Sequence, residues 1–256
     1  MNSILEITPF TNQCKGSVVI PGSKSISNRA LLLSCFLESK VDLHGVLKSQ
    51  DVELMITALK SLGIQINEDW EAKKVEIQGC GGFAPVKNQE IEVGNAGTVA
   101  RFLTAWLAVQ DEAEYSLDGS EEMRERPIGE LMGFFQSEGI EVDYLRINGF
   151  FPFRMKTKKI QTSHWEIDAS KSSQMLSALM MIAPLSGESR KITFPQGTVS
   201  KPFLDITSQM IKKFSGDETY HCKIGSNEIE IVAKYKRKDN FAYLVEPDAT
   251  AASYFL

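Results

Sequence analysis

Residues 21–33 read Pro-Gly-Ser-Lys-Ser-Ile-Ser-Asn-Arg-Ala-Leu-Leu-Leu and set the pattern for the whole chain. The apolar, β-branched run before them, 17–20, predicts a strand that stops at the Pro-Gly turn. The small polar residues and the leucines that follow predict a helix, whose free backbone N–H groups attract anions. Lys24, Arg29 and the hydroxyls of Ser25 and Ser27 would complete a receptor for a phosphate or a carboxylate. An ordinary capped amphipathic helix is the alternative, because Ser and Asn are common cap residues.

The same arrangement recurs along the chain, which favours the receptor. It reappears at 94–103, 170–179 and 247–254, each time after a strand-like run. A second helix follows at the same phase in each of the first three units, and these second helices open at Ser49, Arg126 and Ser200. The sequence therefore predicts three copies of a β-α-β-α-β-β unit and a fourth copy interrupted at Leu256. Chance similarity of Ser/Gly-rich turns is the alternative.

The composition is that of a globular protein with one large or two small domains. The 256 residues are 43% hydrophobic and 24% charged, with a net charge of -5. This charge disfavours a nucleic-acid-binding surface, no apolar run is long enough to span a membrane, and the first residues lack the pattern of a signal peptide. A cytoplasmic protein without a disulfide framework or a zinc site is expected, because the cysteines are scattered at Cys14, Cys35, Cys80 and Cys222.

Six motifs in register carry a resemblance to a known enzyme family. They are 21–29, 94–98 with Arg101, 125–129, 172–174, 200–202 with Asp205, and 248–256. On these motifs the chain strongly resembles the 5-enolpyruvylshikimate-3-phosphate (EPSP) synthases, also called 3-phosphoshikimate 1-carboxyvinyltransferases. One such motif would be weak, whereas six in family order are highly specific.

The resemblance implies an α/β fold, the inverse β-prism of the enolpyruvyl transferases. That fold has two domains, each built from three copies of one α/β unit. Residues 1–20 would be the N-terminal piece of the first domain, and 21–236 the complete second domain of three repeat units. Residues 237–256 would be a crossover and a truncated return into the first domain. The repeats, counted without the family, predict the same division into three complete units and one interrupted unit.

The resemblance also implies the reaction and the partners. The carboxyvinyl group of phosphoenolpyruvate would pass to the 5-hydroxyl of shikimate 3-phosphate with release of phosphate, by addition and elimination through a tetrahedral ketal. This is a step of the shikimate pathway to the aromatic amino acids. Neither a metal nor an organic cofactor is expected. The partners would be these two small anionic substrates, with no nucleic acid and no membrane, and the protein would be a monomer.

The substrate-binding residues that the resemblance implies lie near the starts of predicted helices. Lys24 would touch both substrates and is the one catalytic candidate, because the family's usual acid and base residues would lie beyond Leu256. Shikimate 3-phosphate would be bound by Lys24, Ser25, Arg29, Ser172, Ser173, Gln174 and Ser200. Phosphoenolpyruvate would be bound by Lys24, Asn95, Gly97, Arg126 and Gln174. Residues 1–256 alone are therefore expected to be inactive.

Two positions depart from the family pattern. Phe203 stands where many members have Tyr, and Glu122 stands where the family often has Arg, which puts two polar contacts in doubt. Arg101 is either a charge of the site or a structural partner. Arg124 and Lys171 are expected to enrich the local positive field without a direct role. Asp51 and Asp205 are expected to be helix-start or scaffold carboxylates, and Asp248 a helix cap.

Three other functions stay open at this point. UDP-N-acetylglucosamine enolpyruvyl transferase shares the architecture but uses a loop cysteine, and 111–124 contains none. A P-loop phosphoryl-transfer enzyme is disfavoured because no G-x-x-x-x-G-K-[ST] motif occurs. A non-catalytic anion-binding module is the third possibility, and it is separated from the enzyme by turnover of the full-length protein.

Overall fold

Three copies of one α/β unit form most of the structure. The computed structural model describes Thr11 and residues 15–255, so Cys14, Leu256 and most of the predicted first-domain piece lie outside the described residues. The first unit contains α1 (Lys24–Cys35), β1 (Lys40–His44), α2 (Gln50–Ser61), β2 (Ile66–Asp69) and β3 (Lys74–Gln78).

The second and third units repeat this order with a strand of their own in front. The second contains β4 (Asn88–Glu92), α3 (Gly97–Ala108), β5 (Glu114–Asp118), α4 (Glu121–Arg124), α5 (Gly129–Ser137), β6 (Glu141–Tyr144) and β7 (Phe153–Lys156). The third contains β8 (His164–Glu166), α6 (Ser173–Ile182), β9 (Arg190–Thr193), α7 (Pro202–Ser215), β10 (His221–Ile224) and β11 (Glu228–Val232). A last strand, β12 (Phe241–Leu244), and a short helix, α8 (Ala249–Ala252), follow.

The three sheets share one topology. Each has four strands, in the orders β12-β1-β3-β2, β4-β5-β7-β6 and β8-β9-β11-β10. The first pair in each order is parallel and the other two pairs are antiparallel. The predicted triplication of a β-α-β-α-β-β unit is therefore confirmed, with the outer strand of the first sheet supplied from the far end of the chain.

The prediction of a strand at 17–20 is wrong. Residues 15–20 form no regular structure, and Val18 and Val19 are 54% and 82% exposed. The edge of β1 is already paired with β12, in the register Val41 with Phe241. The outer strand is β12, whose neighbourhood buries Tyr243 and Val245 to 5% and 2% exposure, whereas Val18 and Val19 are covered little by the residues that the structure describes. The pairing of β12 with β1 makes residues 241–244 part of the first sheet. The predicted domain boundaries at residues 20 and 236 stay predictions.

The first helix of each unit lies in the core. Nearly every residue of α1, α3 and α6 is buried. Helix α3 packs on α1 and α6, and α7 packs on the same two helices. Largely apolar helices such as α3 and α6 have to be enclosed by other elements. The strands alternate buried and more exposed residues, as in β5. Helices inside and sheets outside make this the inverse β-prism arrangement, as expected from the sequence.

The second helices have the predicted boundaries in two units. Gly63 and Gly216, expected as stops after α2 and α7, have φ of 90° and 59°, which glycine adopts without strain. In the second unit the main helix α5 begins at Gly129, later than the predicted opening at Arg126, because Ile128 N bonds Gly149 O in a separate turn. The helices described between residues 15 and 255 are too short, and not apolar enough, to cross a membrane.

Candidate anion-binding site

Four helix N-termini meet at one cavity. It has a volume of about 240 Å³. It is lined by residues from the first two turns of α1, from the first turns of α3, α6 and α7, or from just before them: Ser25, Arg29, Thr98, Lys171, Ser172, Ser173, Gln174, Val199, Ser200 and Phe203. We call it the serine pocket. The free N–H groups and the positive dipole ends of several helices here favour a bound anion.

Arg29 supplies the buried charge of the serine pocket. Its side chain is only 2% exposed, and the described residues place no carboxylate within ion-pair distance of it. Instead Nε donates to Thr207 Oγ1 at 2.8 Å and Nη2 donates to Ser177 Oγ at 2.9 Å. Burial lowers the pKa of the guanidinium to about 10, so it remains a cation at neutral pH. A buried cation without an anionic partner is costly, and a bound anion removes that cost.

Aromatic rings hold the Arg29 guanidinium in place. The centroids of Phe102 and Phe203 lie 5.1 Å and 5.4 Å from its Cζ. These are cation–π distances, and a planar guanidinium stacks well on aromatic faces. Phe203, which departs from the family's Tyr, therefore packs on the cation of the pocket.

Two serines of the pocket have special backbone roles. Ser172 is the N-cap of α6, and its hydroxyl accepts from Gln174 N at 3.3 Å. Ser200 has a φ of 53°, in the left-handed region that non-glycine residues rarely adopt. Strained backbone of this kind is found where the surrounding structure over-determines it, as at ligand sites.

A second cavity adjoins the first and carries two more arginines. Its volume is about 270 Å³, and it is lined by Arg101, Arg126, Pro127, Glu130, Lys171, Ser172, Gln174 and Met175. We call it the arginine pocket. The two pockets share Lys171, Ser172 and Gln174.

Gly97 lies next to three residues of the arginine pocket, although it does not line the pocket itself. A Cβ at this position would stand 3.0 Å from Arg126 Nη1, 3.2 Å from Arg101 Nη1 and 3.7 Å from Gln174 Oε1. The residues predicted for phosphoenolpyruvate at 97, 126 and 174 are therefore neighbours. Glycine leaves the space that a ligand atom between these groups would need.

Arg101 has a structural role next to the site. Its Nη1 and Nη2 donate to Gly97 O and Pro127 O, each at 3.0 Å, and so link α3 to the turn before α5. Its pKa is lowered, first by burial and then by the nearby Arg126 charge, while Glu130 opposes the shift. Arg101 thus braces the backbone, and its charge lies near Arg126, whereas a contact with a ligand stays a prediction.

Lys24 and Asn95 lie outside the linings of both pockets. Lys24 begins α1 next to Ser25, and its Nζ forms an ion pair with Asp51 Oδ2 at 3.1 Å. Asn95 is exposed, in the turn before α3. Their contacts with substrates stay predictions.

Three of the charged residues that were expected to have no direct role in binding have partners among the described residues. Arg124 forms a two-point contact with Asp118, at 2.9 Å and 2.6 Å, which raises the pKa of the arginine. Lys171 Nζ lies 2.9 Å from Glu130 Oε1. Asp248 caps α8 by accepting from Thr250 N and Ala251 N.

Comparisons with known proteins agree with this geometry. The EPSP synthase (3-phosphoshikimate 1-carboxyvinyltransferase) family profile matches residues 10–256. The chain belongs to the EPSP synthase family. The 3-phosphoshikimate 1-carboxyvinyltransferase of Opitutus terrae is 38% identical over 253 residues, covering 98% of this chain and 58% of the relative. That of Pectobacterium atrosepticum is 39% identical over 242 residues, covering 94% and 55%.

The chain thus spans a little over half the length of the curated relatives that it matches. The crystal structure of EPSP synthase from Acinetobacter baumannii superimposes with a TM-score of 0.77 at 20% identity, covering 94% of this chain and 52% of that one. This likeness supports the fold. The expected family and fold are both confirmed.

The sequence reasoning missed the residues that hold Arg29. Ser177 and Thr207 are fully buried inside α6 and α7, and Thr98 lines the serine pocket itself. A buried hydroxyl in an otherwise apolar helix stretch, such as Met-Leu-Ser-Ala-Leu at 175–179, is a usable signal, because it needs a partner. Among residues 15–255 no cluster of His, Cys, Asp and Glu has the geometry to hold a metal ion.

Proposed function

We propose that this chain supplies the phosphate-binding wall of an enzyme that transfers the carboxyvinyl group of phosphoenolpyruvate to the 5-hydroxyl of shikimate 3-phosphate and releases phosphate. One observation carries the proposal. Arg29 is a buried cation without a carboxylate partner among the described residues, and it lines a pocket of hydroxyls and helix N-termini. Membership of the EPSP synthase family supports the identity of the anions.

The serine pocket is suited to the phosphate of shikimate 3-phosphate. Ser25, Ser172, Ser173 and Ser200 would donate to phosphate oxygens, and Arg29 would neutralise charge. The pocket is small, and several of its donors are fixed by helix starts, which favours one compact anion over a flexible one.

The arginine pocket is suited to phosphoenolpyruvate. Arg126 is exposed, and the described residues give it no ion pair, so its donors can contact a carboxylate or phosphate of the ligand. Gly97 and Asn95 would bring N–H groups beside it. Gln174 lines both pockets and would therefore touch both ligands.

The two adjacent pockets would place the hydroxyl of one substrate next to the carboxyvinyl group of the other. The 5-hydroxyl would lose its proton to a base as its oxygen bonds to C2 of phosphoenolpyruvate, and C3 would take a proton, giving the tetrahedral ketal. The C2–O bond to phosphate would then break as C3 loses a proton, restoring the vinyl group. The described residues would hold the two anions side by side and offset their repulsion with Arg29, Arg101, Arg126 and Lys24.

Turnover by the full-length protein tests this proposal. Phosphate release from the two substrates without added metal is expected, and residues 1–256 alone are expected to bind but not to turn over. Turnover with UDP-N-acetylglucosamine as acceptor instead would identify the sister enzyme. Binding of phosphate ligands by an inactive full-length protein would favour the non-catalytic module.

A further inference from the structure

A cavity of about 250 Å³ lies at the ends of the buried helices that are remote from the serine pocket. Its lining includes Val109, the C-cap of α3, and Ile182, the last residue of α6, whereas both helices begin at the serine pocket. We call it the far cavity. α3 has 12 residues, and with a rise of 1.5 Å per residue the two sites are separated by about 18 Å.

The wall of the far cavity is rigid. Trp106 Nε1 and Gln110 Nε2 both donate to Gly82 O, at 2.8 Å and 3.1 Å, which fixes the loop that carries Phe83. Gly82 has a φ of 83°, and a Cβ there would overlap the side chain of Leu185. The loop therefore comes close to the 3-10 turn Ala183–Ser186 that follows α6.

The lining combines apolar side chains with one unusual cation. Most of the surface comes from groups such as Phe83, Ile160, Trp165 and Leu185. Arg190 also lines the cavity, with 2% of its side chain exposed and its Cζ 5.5 Å from the Trp165 centroid. Its Nε is buried and has no hydrogen-bond partner among the described residues. Such a group is under-satisfied until something accepts from it.

The ion partner of Arg190 lies on the solvent side. Nη1 donates to Glu188 Oε2 at 2.9 Å, and 68% of the Glu188 side chain is exposed. The bond to Arg190 lowers the pKa of this carboxyl, and the nearby Lys159 and Lys234 charges lower it further. The cavity is lined by two cations, Lys159 and Arg190, and by one carboxylate, Asp111, so its charged groups favour an anion.

We propose that the far cavity binds a small, flat carboxylate. Its apolar body would lie between Phe83 and Trp165, and its carboxylate would pair with the Arg190 guanidinium in the cavity wall. An arginine offers a planar fork that matches a carboxylate, while a mostly apolar lining suits a ring better than a phosphate. The site is independent of the proposed function, because it shares no residue with either anion pocket.

Calorimetric titration with cinnamate and its neutral analogue cinnamyl alcohol tests the proposal. We expect the carboxylate to bind at least about tenfold more tightly than the alcohol, with saturating inorganic phosphate present to occupy the serine pocket. Arg190→Gln should abolish this preference. Glu188→Gln removes the internal competitor and should tighten binding of the carboxylate by about threefold. Arg154→Gln, in the exposed pair with Glu114, is the matched control and should change nothing.

Several results would overturn the proposal. They are equal affinity for the alcohol, no binding at about 10 mM carboxylate, loss of binding when phosphate is added, and unchanged binding in Arg190→Gln. If Arg190→Gln does not fold, the comparison with the alcohol and the exposed Glu188→Gln variant still decide the question.

Discussion

Arg29 Nε and Thr207 Oγ1 are 2.8 Å apart, although 178 positions separate them in the sequence. This bond joins the first helix of the first unit to the second helix of the third. Thr207 Oγ1 also lies 2.7 Å from Phe203 O, so the same hydroxyl accepts from the arginine and donates to the backbone. The repeat architecture thus places the buried cation, and the bond depends on both units being folded.

Thr207→Val should weaken phosphate binding and destabilise the fold. Valine keeps the shape but leaves the Arg29 Nε donor buried without a partner, which costs about 1–3 kcal/mol. Chemical denaturation and titration with shikimate 3-phosphate measure the two effects. Thr207→Ser keeps the hydroxyl and should restore most of the binding, whereas equal behaviour of the Val and Ser variants would show that the hydroxyl does not position Arg29.

Gly97→Ala should impair phosphoenolpyruvate use while leaving the fold intact. The nearest neighbours of the new Cβ are the ends of the Arg126, Arg101 and Gln174 side chains, and the two arginines have to shift by a few tenths of an ångström. We expect kcat/KM for phosphoenolpyruvate in the full-length protein to fall by about tenfold or more.

Gly133→Ala in α5 is the matched control, because a Cβ there meets nothing within 4 Å. Replacing a glycine inside a helix should stabilise the protein by about 0.5–1 kcal/mol without changing kinetics. A comparable loss of activity in both variants would contradict the assigned role of Gly97.

Two substitutions of Ser200 should separate the effect of backbone strain on stability from the effect of the hydroxyl on ligand binding. At a φ of 53°, Ser200→Gly relieves strain and Ser200→Ala keeps it, so the Gly variant should be more stable than the Ala variant by about 1 kcal/mol. Both variants lose the hydroxyl and should bind shikimate 3-phosphate less tightly. Lys73 also has a positive φ, 51°, and lies outside both pockets. Lys73→Gly should therefore change the stability and leave the ligand affinity unchanged. Unchanged ligand affinity in both Ser200 variants would remove Ser200 from the site.

Asp217 should make the fold sensitive to acid. Burial raises the pKa of this carboxyl, but bonds from Lys236, Thr219 and Lys234 N outweigh burial and lower it to about 2. Because the folded pKa lies below the unfolded one, near 3.9, the stabilisation is present above about pH 4 and is lost as the pH falls towards 2. Thermal melts between pH 2 and pH 6 should show this loss, and Asp217→Asn should make the curve flatter. If the melting temperature of Asp217→Asn depends on pH as it does in the unaltered chain, the sensitivity to acid comes from other carboxyls.

The sequence predicts the local parts of this protein better than the long-range ones. The helix after Pro21-Gly22, its partners in the other units and the family all follow from residues close in the chain, where cap residues and periodicity act. The strand expected at 17–20 fails because β12, more than 200 positions away, pairs with β1. The hydrogen bonds from Arg29 to Ser177 and Thr207 also cannot be predicted from the sequence, since they depend on how α1, α6 and α7 pack.

Binding of shikimate 3-phosphate to residues 1–256 and to its Arg29→Met variant tests the central claim most directly. The claim is that Arg29 is kept as a buried cation for an anionic ligand. Calorimetry should show weak, salt-sensitive binding by the unaltered chain and no binding by Arg29→Met. The melting temperature of the variant should be equal or higher, because an unpaired buried charge has been removed. Binding by Arg29→Met with unchanged affinity, or no binding by the unaltered chain at millimolar ligand, would contradict the account.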